Sequence, residues 1–129
     1  MPLIDHIFVY GTLKPDLAGG IGASERARLA AEATLLGCAT TAGILIDLGS
    51  YPGLIEGEGQ VHGVVYRLRD PAITLGWLDI YEGITGSADD EYLRLARRVT
   101  LAFGKNTSCW TYQLIQFKIE DAVIPSGSW

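Results

Sequence analysis

The chain has 129 residues, of which 48% are hydrophobic and 19% are charged, and its mean hydropathy is +0.21. This length and composition predict one folded domain over residues 1–129 and exclude a disordered, charge-solvated chain. Ten Lys and Arg against fifteen Asp and Glu give a net charge of −5, which argues against nucleic acid as a partner because phosphate binding relies on clustered cations.

The chain begins with a strand and a helix. Residues 7–10 (Ile-Phe-Val-Tyr) are β-branched and aromatic, and they predict a buried strand that delivers a turn starting at Gly11. A glycine-rich loop follows. Residues 24–32 then predict an Ala-rich helix capped by Ser24.

The middle of the chain is rich in short strands. Residues 34–40 and 43–48 predict two short strands or one bent strand, with Gly37 and Gly43 at bulges or corners. Residues 61–68 predict a further strand. Turns are predicted at residues 49–53 and 56–59.

A second helix and a last group of strands complete the prediction. The helix begins at Asp70-Pro71 and ends at Gly83. Short strands interrupted by glycine, with two helices among them, predict an α+β fold, a small mixed-sheet β-barrel flanked by helices. The remaining predicted elements are an exposed loop at residues 85–90, strands over residues 92–103 and 108–113, and a helical turn at residues 119–122.

The sequence predicts neither a metal site nor a cofactor. His6 and His62 have no partner at metal-ligand spacing, and we interpret Cys38 and Cys109 as free, mostly buried thiols of a reducing compartment. The glycines at residues 19–22 complete neither a P-loop nor a dinucleotide-binding pattern.

The sequence also bears on location. Residues 1–6 do not form the start of a signal peptide, and no stretch reaches the roughly 18 apolar residues of a membrane span. We therefore expect a cytoplasmic protein without a membrane partner. The sequence indicates no oligomeric state.

Two features carry chemistry. Tyr10, Gly11, Thr12 and Leu13 follow the first strand directly, where successive backbone N–H groups could cradle an anionic group or a developing oxyanion; the alternative is an ordinary turn. Glu82 lies among apolar residues at the negative end of a helix. Both conditions raise a carboxyl pKa toward neutrality, although a solvated helix-end glutamate is the alternative.

Several motifs in this order resemble the γ-glutamylcyclotransferase-like, or AIG2-like, family. The resemblance covers nearly the whole chain, and at its end Ser128 stands where the family usually has Asp. The motifs are Phe-Val-Tyr-Gly-Thr-Leu-Lys at residues 8–14, Tyr-Pro-Gly at 51–53, Leu-Asp-Ile-Tyr-Glu-Gly at 78–83, Tyr-Leu-Arg at 92–94 and Gly-Ser-Trp at 127–129.

The resemblance implies an enzyme that cyclises a γ-glutamyl amide to 5-oxoproline and releases a free amine, without a cofactor. It implies that Glu82 is the catalytic acid and base, and that Tyr92 lines the substrate pocket, with Arg94 a structural or rim partner. It also implies that the glutamyl group is bound by Tyr10, Gly11, Thr12 and Leu13.

The amine half of the substrate stays open. A γ-glutamyl-ε-lysine isopeptide, a γ-glutamyl dipeptide and a biosynthetic γ-glutamyl intermediate are all compatible with the sequence. The loops at residues 16–22 and 85–91 are candidates for the leaving-group pocket because of their position. The second hypothesis is a binding module on the same fold that recognises a γ-glutamyl or similar acidic head group without turnover.

Overall fold

The computed structural model describes residues 4–17, 19–117 and 122–129. Of the helical turn predicted at residues 119–122, residues 119–121 lie outside the described part and Ala122 belongs to a strand. In these ranges the chain forms, in order, β1 (His6–Val9), α1 (Ala23–Glu32), β2 (Ala33–Asp47), β3 (Pro52–Leu68), α2 (Pro71–Tyr81), β4 (Tyr92–Leu101), β5 (Asn106–Leu114) and β6 (Ala122–Val123).

Five of the strands close into a barrel. β3 pairs antiparallel with β1 and with β2, β2 pairs antiparallel with β4, and β4 pairs antiparallel with β5. β5 then meets β1 in parallel, with Trp110 opposite Ile7, and β6 pairs with β2. The parallel pair makes the sheet mixed, so the predicted α+β barrel with flanking helices is confirmed.

The alternation of side chains along β1 divides the core in two. Ile7 and Val9 belong to a cluster shared with Leu29 of α1 and Leu78 of α2, whereas Phe8 and Tyr10 belong to a second cluster formed by strand residues of the barrel. Full burial of one such side chain contributes about 1.5–3 kcal/mol. β1 is therefore held on both faces, and the turn that follows it starts from a firmly anchored strand.

The predicted glycine bulges in β2 are confirmed, and residues 33–47 form one bent strand. The ladder between β2 and β3 shifts register at Gly37 and again at Gly43. Both glycines have positive φ values, of 133° and 154°, which L-residues with a side chain rarely adopt.

The predicted turn at residues 56–59 is wrong, because β3 runs through these residues. In the ladder between β2 and β3, Ala42 pairs with Gln60 and Ile44 pairs with Ile55. Between these pairs β2 has only Gly43, whereas β3 has residues 56–59, which therefore form an insertion within β3. A side chain at Gly59 would place its Cβ 2.8 Å from the carbonyl oxygen of Gly43. Glycine at this position therefore permits a close approach of two strands, which the sequence pattern could not separate from a turn.

Two further predictions need correction. α1 begins at Ala23 with Gly22 as its N-cap, because Gly22 takes a φ of 81° and its carbonyl accepts from the amide of Arg26 at 2.7 Å; Ser24 lies inside the helix. Cys109 is buried as predicted, but Cys38 is exposed. Cys38 faces outward because its neighbour Ala39 belongs to the barrel cluster, and successive strand residues point to opposite faces.

The last residue of α1, Glu32, joins the two helices. Its carboxylate accepts from Thr74 Oγ1 at 2.6 Å and Trp77 Nε1 at 2.9 Å, both on α2, and from Arg28 Nε at 2.8 Å. These hydrogen bonds, led by that of Thr74, lower the pKa of Glu32 from 4.5 to about 2. The junction holds α2 against α1, and α2 in turn carries Glu82 at its end.

We expect Glu32→Gln to lower the free energy of unfolding by about 1 kcal/mol at pH 7, since hydrogen bonds to a charged acceptor become neutral ones in a partly exposed site. Because the folded pKa lies below the unfolded one, the ionised carboxylate stabilises the fold above pH 4.5 and this contribution is lost as the pH falls toward about 2. Urea unfolding at pH 7 and pH 3 measures both effects, with Glu58→Gln on an exposed stretch of β3 as the matched control. An equal difference between wild type and variant at the two pH values would contradict the assignment.

Candidate active site

One cavity of about 720 Å³ opens where the end of β1, the end of α2 and the start of β4 meet. This volume is within the range of about 300–1,000 Å³ that is usual for small-molecule sites. All six residues selected from the sequence line the cavity, so the fold brings Glu82 and the turn after β1 to the same space. Those six are Tyr10, Gly11, Thr12, Leu13, Glu82 and Tyr92.

The turn after β1 is compact and tied to α2. The amide of Lys14 donates to the carbonyl of Gly11 at 3.1 Å, and the hydroxyls of Thr12 and Tyr81 are hydrogen-bonded at 2.8 Å. Among the described turn and loop hydrogen bonds, the amides of Gly11, Thr12 and Leu13 donate to no backbone carbonyl. A Cβ at Gly11 would lie 2.9 Å from Cγ of Pro52, so glycine lets the turn pack against the opposite wall of the cavity.

Glu82 is the C-cap residue of α2, and the turn around it is held by two backbone hydrogen bonds. Gly83 has a φ of 74° and its amide donates to the carbonyl of Ile80 at 3.0 Å, while the amide of Ile84 donates to the carbonyl of Asp79 at 2.9 Å. This is the Schellman arrangement, which glycine favours. The predicted helix end at Gly83 is confirmed, and its geometry sets the direction in which Glu82 leaves the helix.

The environment of Glu82 raises its pKa from 4.5 to about 7. The first cause is the loss of water around the carboxyl group, and the charges of Asp79 and Glu91 add to it. A group with such a pKa exchanges its proton readily near neutral pH. Glu82 remains partly open to the cavity, so the same carboxyl group can reach a bound molecule.

The two predicted tyrosines form walls of the cavity, and their hydroxyls are already engaged. The hydroxyl of Tyr10 donates to the carbonyl of Tyr112 at 2.6 Å and accepts from the amide of Leu54 at 3.1 Å. The hydroxyl of Tyr92 donates to the carbonyl of Pro52 at 2.6 Å. Burial raises the pKa of both phenols well above the ordinary range, so both hydroxyls stay protonated and engaged with the backbone.

Sequence reasoning missed four residues that line the cavity or act on Glu82. Tyr51 and Tyr81 lie inside the quoted motifs, and those motifs were the signal that could have found them. Asp79 lies inside the quoted motif at residues 78–83, and Glu91, which accepts from the hydroxyl of Tyr51 at 2.7 Å, ends the candidate loop at residues 85–91, but neither was selected as an individual site residue. The charges of Asp79 and Glu91 raise the pKa of Glu82, and the size of this effect depends on their distance from Glu82 in space. The sequence indicates that distance only for Asp79, which is three residues from Glu82 on the same helix.

The loops considered for the leaving group contribute unequally to the cavity. Ile21 comes from the first loop, and the second contributes Thr85, Ser87, Asp89, Asp90 and Glu91. Asp90 is partly committed to its own loop, where its carboxylate accepts from the amides of Thr85 and Gly86 at 2.9 Å. The charged residues of the described cavity wall are all acidic.

The last residues of the chain pack away from the cavity wall. Ser128 is exposed and is not among the residues that line the cavity, while Trp129 packs against the barrel cluster. The carbonyl of Trp129 accepts from Lys14 Nζ at 2.9 Å. The substitution at residue 128 therefore lies outside the described site, although Trp129 is tied to the residue that follows the cradle turn.

No group of three or more His, Cys, Asp and Glu in the described ranges is arranged to hold a metal ion. Across the same ranges, neither helix has the length and apolar character needed to cross a membrane.

Comparison with known proteins gives one consistent family. Residues 7–129 match the family described as "Gamma-glutamyl cyclotransferase, AIG2-like". The chain is 36% identical over 125 residues to a Vibrio cholerae protein named "Putative gamma-glutamylcyclotransferase", covering 95% of this chain and 93% of that one. It resembles the solution structure of ytfP from Escherichia coli, at 34% identity and a TM-score of 0.66 over 96% of this chain and 95% of that one.

A mammalian structure shares the same fold. The crystal structure of an AIG2-like protein from Mus musculus is 25% identical and superposes with a TM-score of 0.76, covering 98% of this chain and 88% of that one. The family match over residues 7–129 and the agreement in fold show that the chain belongs to the gamma-glutamyl cyclotransferase, AIG2-like family.

Proposed function

We propose that this protein cyclises a γ-glutamyl amide to 5-oxoproline and releases a free amine, with Glu82 as general base and then general acid. The observation that carries the proposal is a partly buried carboxyl group, with a pKa raised to about 7, in the same cavity as the amides of the turn after β1. Family membership supports the cyclotransferase class, and the particular reaction and residue roles are our inference.

The reaction needs no water and balances within the substrate. The α-nitrogen forms a bond to the γ-carbonyl carbon, and the bond from that carbon to the amine nitrogen breaks. An α-ammonium group loses two protons as its nitrogen becomes the lactam N–H, and Glu82 passes them in turn to the departing nitrogen, which leaves as the ammonium form of the amine. Since attacking and leaving nitrogens belong to one bound molecule, orientation supplies much of the rate, and effective molarities of such steps reach about 10⁵ M or more.

The raised pKa of Glu82 suits both proton transfers. An ammonium group cannot attack, so its proton must go to a base, and the amine departs readily only when it is protonated. A carboxyl group with a pKa near the working pH is populated in both forms, so it can accept a proton in one step and return it in the next. The partial exposure of Glu82 to the cavity supports direct contact with the substrate nitrogen.

The turn after β1 is suited to the negative charge of the substrate. Gly11, Thr12 and Leu13 line the cavity, and their amides donate to no backbone carbonyl among the described turn and loop hydrogen bonds, so they could hold either the α-carboxylate or the oxyanion of the tetrahedral intermediate. The ring faces of Tyr10 and Tyr92 would enclose the glutamyl chain. These walls restrict the folded conformer that cyclisation requires.

The acidic cavity wall predicts a preference for substrates whose amine half carries no carboxylate. Asp89, Asp90 and Glu91 line the cavity together with Glu82, and no Lys, Arg or His lines the described wall. A carboxylate on the leaving amine would meet like charges there, at a cost of about 1 kcal/mol for each pair 4 Å apart in water-like surroundings. We therefore expect kcat/KM to be about tenfold higher for γ-glutamylbutylamine or γ-glutamyl-1,4-diaminobutane than for γ-glutamylalanine.

Mass-spectrometric detection of 5-oxoproline across this panel tests both the reaction and the preference. The preference should shrink at high salt and in Asp89→Asn, since screening or removal of a rim charge weakens the repulsion. Faster turnover of γ-glutamylalanine would contradict the charge argument. If no member yields 5-oxoproline, and calorimetry shows tight binding that leaves the ligand chemically unchanged, the result would instead support a binding module.

A further inference from the structure

Asp79 is held by side chains from two strands of the barrel. Arg94 of β4 donates through Nε to Oδ1 at 2.9 Å and through Nη2 to Oδ2 at 3.3 Å. Tyr112 of β5 donates its hydroxyl to Oδ1 at 2.6 Å. A carboxylate that accepts a forked guanidinium and a phenol together is fixed in orientation as well as in charge.

The donors to Asp79 are themselves held in place. Arg94 and Tyr112 are direct partners in the β4–β5 ladder, so their side chains lie together on one face of the sheet. The guanidinium of Arg94 stacks over the ring of Trp110 with its Cζ 4.4 Å from the ring centre, and Trp110 Nε1 donates to the carbonyl of Ile4 at 3.2 Å. The end of α2 is therefore docked on a rigid part of the barrel wall.

Asp79 is also coupled to Glu82 through the helix. The two residues are three positions apart and so lie on the same side of α2, and the carbonyl of Asp79 accepts the amide of Ile84, which closes the turn around Glu82. Asp79 carries one end of that turn by its backbone and anchors the helix by its side chain. Any loosening of its carboxylate is transmitted to Glu82 within one helical turn.

The pair of Asp79 and Arg94 also affects the electrostatic field at Glu82. Asp79 adds negative charge from α2, and Glu91 adds it from the loop before β4. Arg94 neutralises Asp79 in part and thereby limits the field at Glu82. The phenols that face Glu82 stay neutral, and they belong to Tyr10, Tyr51, Tyr81, Tyr92 and Tyr112.

We propose that the ion pair of Asp79 and Arg94 positions Glu82: it docks the last turn of α2 on the barrel wall and sets how much negative charge Glu82 faces. The role of Glu82 in turnover rests on the proposed function, but the positioning does not. Asp79 acts through Glu82 and needs no contact with a substrate.

Two single variants with opposite effects test the pair. Asp79→Asn keeps an oxygen that accepts from Tyr112 and Arg94 but removes the charge, so the titration midpoint of Glu82 should fall by about one pH unit. Arg94→Gln leaves Asp79 without its cation, so the midpoint should rise by about the same amount. The readout is the ¹³C chemical shift of the Glu82 carboxyl group in the free protein, assigned by its loss in Glu82→Gln.

The opposite directions separate this role from a structural one. Mere loosening of the helix end would let water reach Glu82 in both variants and would lower both midpoints. Arg94→Lys, which keeps the charge without the forked geometry, should give a midpoint near the wild-type value. If Arg94→Gln does not fold, Arg94→Met, which also removes the charge but keeps an apolar stem against Trp110, takes its place. Arg28→Gln breaks a comparable pair with Glu32 and should leave the midpoint unchanged.

Two readouts separate failure of this proposal from failure of the proposed function. The low-pH limb of 5-oxoproline release should move in the same directions as the carboxyl titration. Unchanged or equally lowered midpoints in Asp79→Asn and Arg94→Gln would overturn the positioning role, whether or not the protein turns over. Opposite shifts without 5-oxoproline release would uphold the positioning role and count against the proposed reaction alone.

Discussion

Glu82→Gln is expected to lower kcat for 5-oxoproline release by about 10²- to 10⁴-fold, the usual contribution of a positioned general acid–base. Glutamine has nearly the same shape and can occupy the same C-cap position, but its amide neither takes up nor returns the proton that cyclisation moves. Substrate binding should change little, because the proposed cradle amides and tyrosine walls remain. The effect should therefore appear in kcat far more than in KM.

The same substitution should make the folded protein more stable at high pH. Because the pKa of Glu82 is raised from 4.5 to about 7, the folded state binds this proton more tightly than the unfolded state does. Stability due to this group is thus full below pH 4.5 and is lost as the pH rises to about 7. Glutamine does not ionise, so at pH 8 the variant should gain roughly 2 kcal/mol over wild type.

Activity and stability measured on one preparation check this expectation. The matched control is Glu58→Gln, an exposed glutamate outside the cavity wall, which should leave both quantities as in wild type. Full activity of Glu82→Gln would remove Glu82 from the chemistry. If Glu82→Gln loses both its activity and its stability, Glu82 would have a structural role instead.

Gly63→Ala is expected to lower the free energy of unfolding by about 3 kcal/mol, at the upper end of overpacking penalties. A Cβ on Gly63 would run into the carbonyl oxygen of Val9 and would lie 2.8 Å from Cζ of Phe8. The carbonyl oxygen of Val9 belongs to the backbone of β1, so it cannot move aside as the end of a flexible side chain could. β1 would have to move away from β3, and the turn after it, which carries the proposed cradle, would move as well.

A second glycine provides the control for Gly63. Gly76 lies in α2 on an exposed surface, and a Cβ there would meet nothing within 4 Å. Gly76→Ala should therefore stabilise the protein by about 0.5–1 kcal/mol through helix propensity. The midpoints of urea unfolding of the two variants test this prediction. A similar small change in both would contradict it, because it would show that β1 and β3 can move apart at little cost in stability.

Local sequence predicted the elements on which the site is built. The apolar run at residues 7–10 indicated β1, Asp70-Pro71 and Gly83 bounded α2, and Gly37 and Gly43 marked the bends of β2. Each of these features depends on residues a few positions apart, which is why pattern and propensity were sufficient. The insertion at residues 56–59 was misread because its glycines also fit a turn.

The sequence by itself determined the order of elements, the family motifs and the choice of Glu82 with the turn at Tyr10–Leu13. Only the tertiary structure decided that these meet in one cavity, because the barrel closes by pairing β1 with β5 a hundred residues later. It also decided the water-poor, acidic surroundings of Glu82 and the grip of Arg94 and Tyr112 on Asp79. Desolvation and Coulomb interactions depend on distances in space, and those distances are set by packing between elements remote in the chain.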